Sequence, residues 1–256
     1  MTVRNNSPGF DVSIDVSRCV YDEVILFDQL YLNIPKASWT CLLGVSGVGK
    51  STLLKLAAGL QSDGCSLKIT CSDGQPIINR VAYMAQQDLL LPWLNIIENV
   101  NLGDRLRGTT DPVRRGMAHE LIDRVGLRNY AWELPEKLSG GMRQRAALAR
   151  TLLEDRPVVL MDEPFSALDA ITRLQLQEMA SELLRDKTVM LVTHDPLEAL
   201  RLGNFIYLMT GRPAQLEKIA ELTDETPRDI NDPVILTHQA NLLTRMKNSI
   251  ENPSNE

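Results

Sequence analysis

One segment constrains the fold of this chain more than any other, the glycine-rich run Gly44–Thr52, which we call the phosphate loop. It follows a continuous apolar run, Trp39–Leu43, and leads into a periodic segment, Ser51–Ala58. This context predicts a buried strand, a tight turn and then a helix. Glycines let backbone N–H groups approach an anion without an intervening Cβ, and the helix N-terminus adds its unpaired amides and its dipole. The segment therefore predicts a polyphosphate site within an α/β fold.

The phosphate loop also contains two side chains suited to nucleotide chemistry. Lys50 is expected to bring a positive charge to the β- and γ-phosphates, and the Ser51 hydroxyl can ligate Mg²⁺. The other half of such a metal site is an acidic residue at the end of a buried strand, and the apolar run Val158–Met161 leads directly into Asp162 and Glu163. We expect Asp162 to hold Mg²⁺ through water and Glu163 to polarise the attacking water. The alternative is an ordinary pair of loop acids.

Apolar runs and helix-like segments alternate along the chain, as in an α/β fold. The predicted buried strands are Trp39–Leu43, Val81–Met84, Val158–Met161, Val189–Thr193 and Phe205–Met209, and the predicted helices are Ser51–Ala58, Met117–Val125, Met142–Leu153, Ala170–Leu184 and Pro196–Leu202. Near the N-terminus, Val12–Val16 and Gln29–Ile34 alternate with period two, which predicts half-exposed antiparallel strands. The region from about Leu94 to Leu138 is expected to be a helical insertion. After Thr210 we expect a strand and a helix, with a frayed end over 252–256.

Composition argues against several classes of protein. A net charge of −6 and a pI of about 5.2 argue against nucleic-acid or anionic-lipid binding driven by bulk charge. No apolar stretch approaches the ~20 residues of a membrane-spanning helix, and residues 1–15 lack the apolar core of a signal peptide. We therefore expect a cytosolic chain that reaches a membrane only through a protein partner. Because the four cysteines lack CxxC spacing and nearby histidines, we interpret all of them as reduced structural thiols: Cys19, Cys41, Cys65 and Cys71.

A second motif, Leu138–Arg145, distinguishes this chain from other proteins with a phosphate loop. It reads Leu-Ser-Gly-Gly-Met-Arg-Gln-Arg. Ser139 can cap the helix that follows, and the two glycines leave amides open to a phosphate. The motif, which we call the signature segment, resembles the signature of the ABC ATPase family, and the resemblance extends from about Val12 to Met209. In that family, the signature of one subunit contacts the γ-phosphate held by the other, which implies an ATP-dependent homodimer with two composite sites.

The resemblance implies a fold and a cofactor set. The fold is α/β, a P-loop NTPase (RecA-like) core with an N-terminal antiparallel β subdomain and an inserted helical subdomain. The implied division of the single domain, 1–256, is a core of residues 1–87 and 155–256 and a helical signature subdomain of residues 88–154. The implied cofactors are ATP and Mg²⁺, and the implied activity is ATP hydrolysis.

Individual residues take roles from the resemblance where they match the family's motifs. Tyr21 matches the aromatic that stacks on adenine, Gln86 the loop glutamine that joins Mg²⁺ and water to the permease contact, and His194 the histidine that senses the γ-phosphate. The implied catalytic residues are Lys50, Gln86, Glu163 and His194, and the implied metal ligands are Ser51, Gln86 and Asp162. The implied nucleotide contacts are Tyr21, Gly44, Val45, Ser46, Gly47, Val48, Gly49, Lys50, Ser51 and Thr52. The signature residues acting on the partner's ATP are Ser139, Gly140, Gly141 and Met142, and those of the loop touching the partner, the dimer loop, are Ser166, Ala167, Leu168 and Asp169.

Three shorter segments resemble the nitrate/sulfonate/taurine class of bacterial importers, namely Leu90–Trp93, His194–Ala199 and Gly211–Pro213. Within that class, Tyr83–Trp93 is most similar to ATPases assigned to uptake of hydroxymethylpyrimidine, a thiamine precursor. The class implies integral-membrane permease subunits, a periplasmic or lipid-anchored substrate-binding protein, and a peripheral position on the cytoplasmic face of the inner membrane.

The run Leu90–Trp93, which we call the docking loop, is expected to receive a helix of the permease through Leu90, Leu91, Pro92 and Trp93. Burial of part of this loop in the chain's own core is the alternative. Other readings of the whole chain are an importer of sulfonate, taurine or nitrate, a non-transport ABC ATPase acting on DNA or the ribosome, and a small-molecule kinase.

Overall fold

The computed structural model describes residues 8–60, 63–109 and 111–251, which contain two β-sheets with helices around them. The larger sheet has the order β5-β6-β7-β3-β8-β9, and the smaller has the order β2-β1-β4. In chain order the strands are β1 Val12–Tyr21, β2 Val24–Ile34, β3 Trp39–Gly44, β4 Cys65–Cys71, β5 Val81–Met84, β6 Val158–Asp162, β7 Thr188–Val192, β8 Phe205–Thr210 and β9 Gln215–Glu221.

The larger sheet is parallel from β5 to β8, and only β9 runs antiparallel to its neighbour. All residues of β3, β6 and β7 are buried. Successive side chains point to opposite faces, so Cys41 and Leu43 join one hydrophobic core while Leu42 joins another on the opposite face. Both faces are therefore covered, which explains the continuous apolar runs. The strand predictions are confirmed to within one residue at each end.

The smaller sheet is antiparallel and alternates buried with exposed residues, as predicted for Val12–Val16 and Gln29–Ile34. Its third strand, β4, was not predicted, because Cys65–Cys71 contains Ser, Lys and Thr and has only its last residue buried. The register of β1 against β4 sets Cys19 opposite Cys65, and the two form a disulfide. The interpretation of these two as reduced thiols is therefore wrong. The pairing follows from strand register over a separation of 46 residues, which spacing alone does not reveal. Cys41 and Cys71 are free and buried.

Eight α-helices pack around the sheets in the described part of the chain. They are α1 Lys50–Ala57, α2 Ile96–Val100, α3 Leu102–Leu106, α4 Pro112–Arg124, α5 Gly140–Leu153, α6 Ala170–Leu183, α7 Pro196–Leu202 and α8 Pro233–Glu251. Between β5 and β6 the described chain contains helices and loops but no strand, as expected for a helical insertion. The subdomain bounds at 88 and 154 remain a prediction, and the prediction for 252–256 lies outside the described residues.

The sheet order brings three strand ends together at one edge. Strands β6, β7 and β3 are parallel neighbours, so their carboxyl ends, Asp162, Val192 and Gly44, lie side by side. The loops that follow these strands contain the phosphate loop, Glu163 and His194. Among the helices that the structure describes, none is both long enough and apolar enough to cross a lipid bilayer.

Candidate functional site

The phosphate loop connects β3 to α1 and is shaped by glycines. Gly47 has φ +80° and Gly49 has φ +112°, backbone conformations that residues with a Cβ rarely adopt. A Cβ at Gly49 would also lie 3.0 Å from the Phe27 ring. Lys50 is buried, and its Nζ donates to the carbonyl oxygens of Gly44 at 2.7 Å and Val45 at 3.0 Å. The ammonium group is thus held across the loop.

Burial lowers the pKa of Lys50, and the charges of Glu163 and Asp162 oppose this effect. The Lys50 ammonium has three N–H donors and uses two of them for the carbonyl oxygens of Gly44 and Val45, which leaves donor capacity for another acceptor. Lys50 is therefore placed where an added phosphate would complete its coordination.

Tyr21 and the phosphate loop line one cavity of about 360 Å³. Its lining residues are Tyr21, Leu26, Gly47, Gly49, Lys50, Ser51, Thr52 and Lys55. The Tyr21 side chain ends β1 and is 58 % exposed, so its ring is open to a planar group. An aromatic face on one side and phosphate-binding amides on the other fit a nucleotide. The role of Tyr21 as the adenine platform remains a proposal.

Asp162 ends β6 and is buried next to Ser51, which donates a hydrogen bond to it. Burial raises the pKa of Asp162, whereas the Ser51 hydrogen bond and the charge of Lys50 lower it. Its Oδ1 atom is buried without a hydrogen-bond partner among the described residues. An unpartnered carboxylate oxygen beside a hydroxyl suits Mg²⁺, which prefers oxygen ligands and keeps several waters. The residues present thus fit the expected ion.

Glu163 follows Asp162, and its carboxylate contacts the side chains of two other predicted site residues. Gln86 Nε2 donates to Glu163 Oε2 at 3.2 Å, and His194 Nδ1 lies 3.1 Å from Glu163 Oε1. These three residues come from loops after three different strands, and sheet order brings them together. The resulting arrangement holds a carboxylate between an amide and an imidazole, where it could orient a water molecule and accept its proton.

The signature segment lies at the start of α5. Ser139 caps this helix as predicted, because its Oγ accepts a hydrogen bond from the Met142 N–H at 3.3 Å. Ser139 and Gly140 are exposed, and no residue of the signature segment lines the Tyr21 cavity in the part of the chain described here. Ser139 and Gly140 are thus accessible at the surface, and their contact with the ATP of a partner subunit remains a prediction.

The dimer loop leads into α6, which Asp169 caps by accepting a hydrogen bond from the Thr172 N–H at 3.0 Å. Ser166 is exposed, and its Oγ donates to the carbonyl oxygen of Glu163 at 3.0 Å. Leu168 is buried in the chain's own core, because it packs in the cluster that contains Phe165. The contact of the dimer loop with a partner subunit remains a prediction.

The docking loop is only partly exposed. Leu90 is buried in the core and Leu91 is half-buried, whereas Pro92 is exposed and Trp93 is 70 % exposed. The side chain of Leu90 packs in the chain's own core, as the alternative of partial burial expects, and the contact of this loop with a permease remains a prediction. Trp93 and Pro92 form the apolar surface that remains.

Three arginines with structural roles at this site were missed in the sequence. Arg143 Nε lies 3.0 Å from Asp88 Oδ2, and the Arg150 guanidinium donates to the carbonyl oxygens of Leu89 and Asp88 at 2.9 and 2.6 Å. Both arginines thus tie α5 to the loop after Gln86. An arginine on a helix is usually solvated, so nothing in the sequence indicated these contacts.

Arg173 on α6 makes a similar link between two other loops. Its Nη1 lies 3.0 Å from Asp195 Oδ2, and its Nη2 donates to the Leu168 carbonyl oxygen at 3.2 Å. Asp195 caps α7 and follows His194 directly. Arg173 therefore connects the dimer loop to the segment that carries His194.

A family model described as ABC transporter matches residues 27–166, more than half of the 256 residues. The chain belongs to this family. An uncharacterised ABC transporter ATP-binding protein of Haemophilus influenzae is 44 % identical over 224 residues, covering 86 % of this chain and 88 % of the relative. An aliphatic sulfonates import ATP-binding protein of Pseudomonas syringae pv. syringae is 39 % identical over 218 residues, covering 84 % and 87 %. Another sulfonates import ATP-binding protein, of Burkholderia cenocepacia, is 36 % identical over 237 residues, covering 91 % and 86 %.

A solved structure of an ATP-binding cassette, described as a dimeric post-hydrolysis state bound to ADP and Pi, shares this fold. Its TM-score is 0.72 at 28 % identity, and the match covers 83 % of this chain and 99 % of that one. Together with the family match, this likeness confirms the predicted α/β cassette fold, ATP binding and ATP hydrolysis. The present chain is an ABC ATPase. None of these relatives bears a name that refers to thiamine precursors, so that finer prediction has no support here.

Proposed function

We propose that this ABC ATPase is the energy-supplying subunit of an importer for small organic solutes. The observation that carries the proposal is the loop between β5 and α2. At its start Gln86 contacts Glu163, and seven residues later it exposes Trp93 and Pro92 at the surface. One short segment thus connects Glu163, which lies in the candidate active site, with an exposed apolar surface. Such a link is what coupling of hydrolysis to a membrane partner requires.

The proposed reaction is in-line attack of water on the γ-phosphate of ATP. Lys50 and the amides of the phosphate loop bind the phosphates, while Ser51 and Asp162 would hold Mg²⁺, which neutralises charge on the phosphate oxygens when it is bound. Glu163 orients the water and accepts its proton. His194 and Gln86 hold the Glu163 carboxylate in place through their contacts with its two oxygens. Tyr21 stacks on adenine.

A complete site needs a second copy of the chain. Because the signature segment does not line its own Tyr21 cavity, Ser139, Gly140, Gly141 and Met142 would act on ATP bound to a partner. A head-to-tail pair with twofold symmetry closes two such sites. ATP bound only in the closed pair stabilises the pair by mass action, and phosphate release allows it to open.

The implied partners are integral-membrane permease subunits and a periplasmic or lipid-anchored substrate-binding protein. The ATPase would then be peripheral, on the cytoplasmic face, with no role for nucleic acid. Movement would pass through the docking loop, which directly follows Asp88 and Leu89, the two residues that Arg143 and Arg150 tie to the signature helix α5. Rotation of α5 on ATP binding would therefore shift Trp93 against the permease.

The choice of solute rests on the relatives. Two of those described above are named for import of aliphatic sulfonates, and we therefore favour a sulfonate over the hydroxymethylpyrimidine suggested by Tyr83–Trp93. Because the solute is bound by other subunits in such a system, no pocket of this chain argues for either.

Growth of a deletion strain tests both levels of the proposal. A strain lacking this chain should fail to grow with an alkanesulfonate as sole sulfur source but grow normally on sulfate, and the wild-type chain should restore growth. Glu163→Gln should not restore it. Loss of hydroxymethylpyrimidine use in a thiamine-requiring background, with sulfonate use intact, would contradict the sulfonate assignment. Normal growth in both tests would exclude both solutes.

A variant pair tests the docking surface. Trp93→Ala should fail to support growth on the sulfonate while the purified protein keeps its basal ATPase rate. The matched control is Tyr31→Ala, which removes a similarly exposed aromatic from the small sheet, away from the docking loop. Equal growth with both variants would contradict the role of Trp93.

A further inference from the structure

The backbone of Glu163 is held in an unusual conformation by two neighbouring elements. Its φ is +50°, a left-handed value that persists in a residue with a Cβ only where the surroundings enforce it. Its N–H donates to the Val192 carbonyl oxygen of β7 at 2.8 Å. Its own carbonyl oxygen accepts a hydrogen bond from Gln144 Nε2 at 2.7 Å. Strand β7 and helix α5 therefore both fix the residue that we place next to the attacking water.

The same amide of Gln144 also holds the dimer loop. Its Oε1 accepts a hydrogen bond from the Ala167 N–H at 3.0 Å. Gln144 is 5 % exposed, so most of its side chain is buried, and both bonds are partly buried. The helix approaches this loop closely, since a Cβ at Gly141 would lie 2.8 Å from the Ala167 carbonyl oxygen. Little space is left for α5 to move independently of residues 163–167.

These contacts lie one turn from the signature residues on the same helix. Ser139 and Gly140, at the start of α5, are exposed, whereas Gln144, one turn further on, is buried against Glu163 of its own chain. We propose that Gln144 is a positioning residue that sets the Glu163 carboxylate and the dimer loop according to the position of the signature helix. The inference rests on the proposed composite site, in which α5 contacts the partner's ATP while Glu163 acts on the ATP of its own chain. Gln144 then links the two ATP sites of the pair.

An amide is needed because it carries a donor and an acceptor at one position. Glutamate at 144 keeps the acceptor for Ala167 N–H but, when ionised, places an oxygen against the Glu163 carbonyl. Methionine keeps the length and removes both hydrogen bonds. If Gln144 only satisfied the hydrogen-bonding groups of a buried loop, either substitution would lower the stability of the protein without a specific effect on turnover.

The test compares Gln144→Met and Gln144→Glu with Thr151→Val. Thr151 is also buried on α5, and its hydroxyl bonds within the helix to the Ala147 carbonyl oxygen, so its variant reports loss of stability alone. We expect Gln144→Met to lower kcat by roughly 10- to 100-fold. Its affinity for ADP should stay near that of wild type because the phosphate loop is untouched. Thr151→Val should melt earlier but keep its kcat.

The glutamate variant gives a second readout that a merely structural role would not move. Protonation restores a donor at position 144, so the kcat of Gln144→Glu relative to wild type should rise as pH falls. A Gln144→Met protein with wild-type kcat, alongside an inactive Glu163→Gln protein, would overturn the inference and leave the proposed function intact. The inference would also be overturned if the ratio of the Gln144→Glu kcat to the wild-type kcat did not change with pH. Wild-type turnover by Glu163→Gln would instead refute the proposed role of Glu163.

Discussion

Glu198 on α7 is a buried acid, and its replacement by glutamine should change the stability of the protein relative to wild type increasingly in favour of the variant as pH rises. It is 5 % exposed, and Gln177 Nε2 donates to its Oε1 at 3.1 Å. Burial raises the pKa of Glu198 from its ordinary 4.5 to about 7, and the nearby charge of Asp195 adds to this. Hydrogen bonds from Thr193 and Gln177 act in the opposite direction. At alkaline pH the folded protein therefore holds a desolvated charge.

The sign of the pH dependence follows from these two pKa values. The folded state binds the Glu198 proton more tightly than the unfolded state does. Protonated Glu198 therefore contributes its full stabilisation of the folded state below pH 4.5, and this contribution is lost as pH rises through 7. Since one pKa unit corresponds to about 1.4 kcal/mol, ionisation in the folded state costs about 3 kcal/mol above pH 7 relative to acid pH. Most of this loss falls within the range from pH 5 to pH 8.

The assay is chemical denaturation of wild type and Glu198→Gln between pH 5 and pH 8.5. Glutamine keeps an oxygen for Gln177 but cannot ionise, so the difference in unfolding free energy should shift in favour of the variant by about 2–3 kcal/mol across this range. Glu120→Gln, an exposed acid on α4, is the matched control and should show no such shift. A constant difference between wild type and Glu198→Gln at every pH would refute the reasoning.

Three further substitutions test other parts of the structure. Lys50→Ala removes the buried ammonium of the phosphate loop and should abolish detectable ATP binding in calorimetry, whereas unchanged affinity would contradict its placement. Ser139→Arg should leave nucleotide binding to the monomer intact while preventing ATP-dependent dimerisation in light scattering; a normal dimer would exclude the two-chain site. Phe165→Ala removes a fully buried ring from the core and should cost about 3–5 kcal/mol of unfolding free energy, and a loss below about 1 kcal/mol would contradict that burial.

The sequence was most informative where local pattern and burial agree. β3 and β6 are buried on both faces, so their apolar runs were sufficient to locate them, and the sheet edge then placed Asp162 and Glu163 beside the phosphate loop. Ser139 was recognised as a helix cap because capping is a local interaction between residues three apart.

Features that depend on tertiary register could not be predicted in this way. The Cys19–Cys65 disulfide requires the alignment of β1 with β4, and the burial of Leu90 requires the packing of its loop against α5. Arg150 resembles any solvated arginine in the sequence, although in the structure it holds two backbone carbonyl groups. The distances from Gln86 and His194 to Glu163 also depend on the order of strands in the sheet.

The most direct test of the composite site is the oligomeric state of the Glu163→Gln protein with and without Mg-ATP, measured by light scattering. Because this variant cannot hydrolyse ATP, the closed pair cannot open by turnover and should accumulate. The account therefore predicts a monomer that becomes a dimer only when Mg-ATP is added. A Glu163→Gln protein that binds ATP but remains monomeric at saturating nucleotide would contradict the claim that the signature segment of one copy completes the site of another.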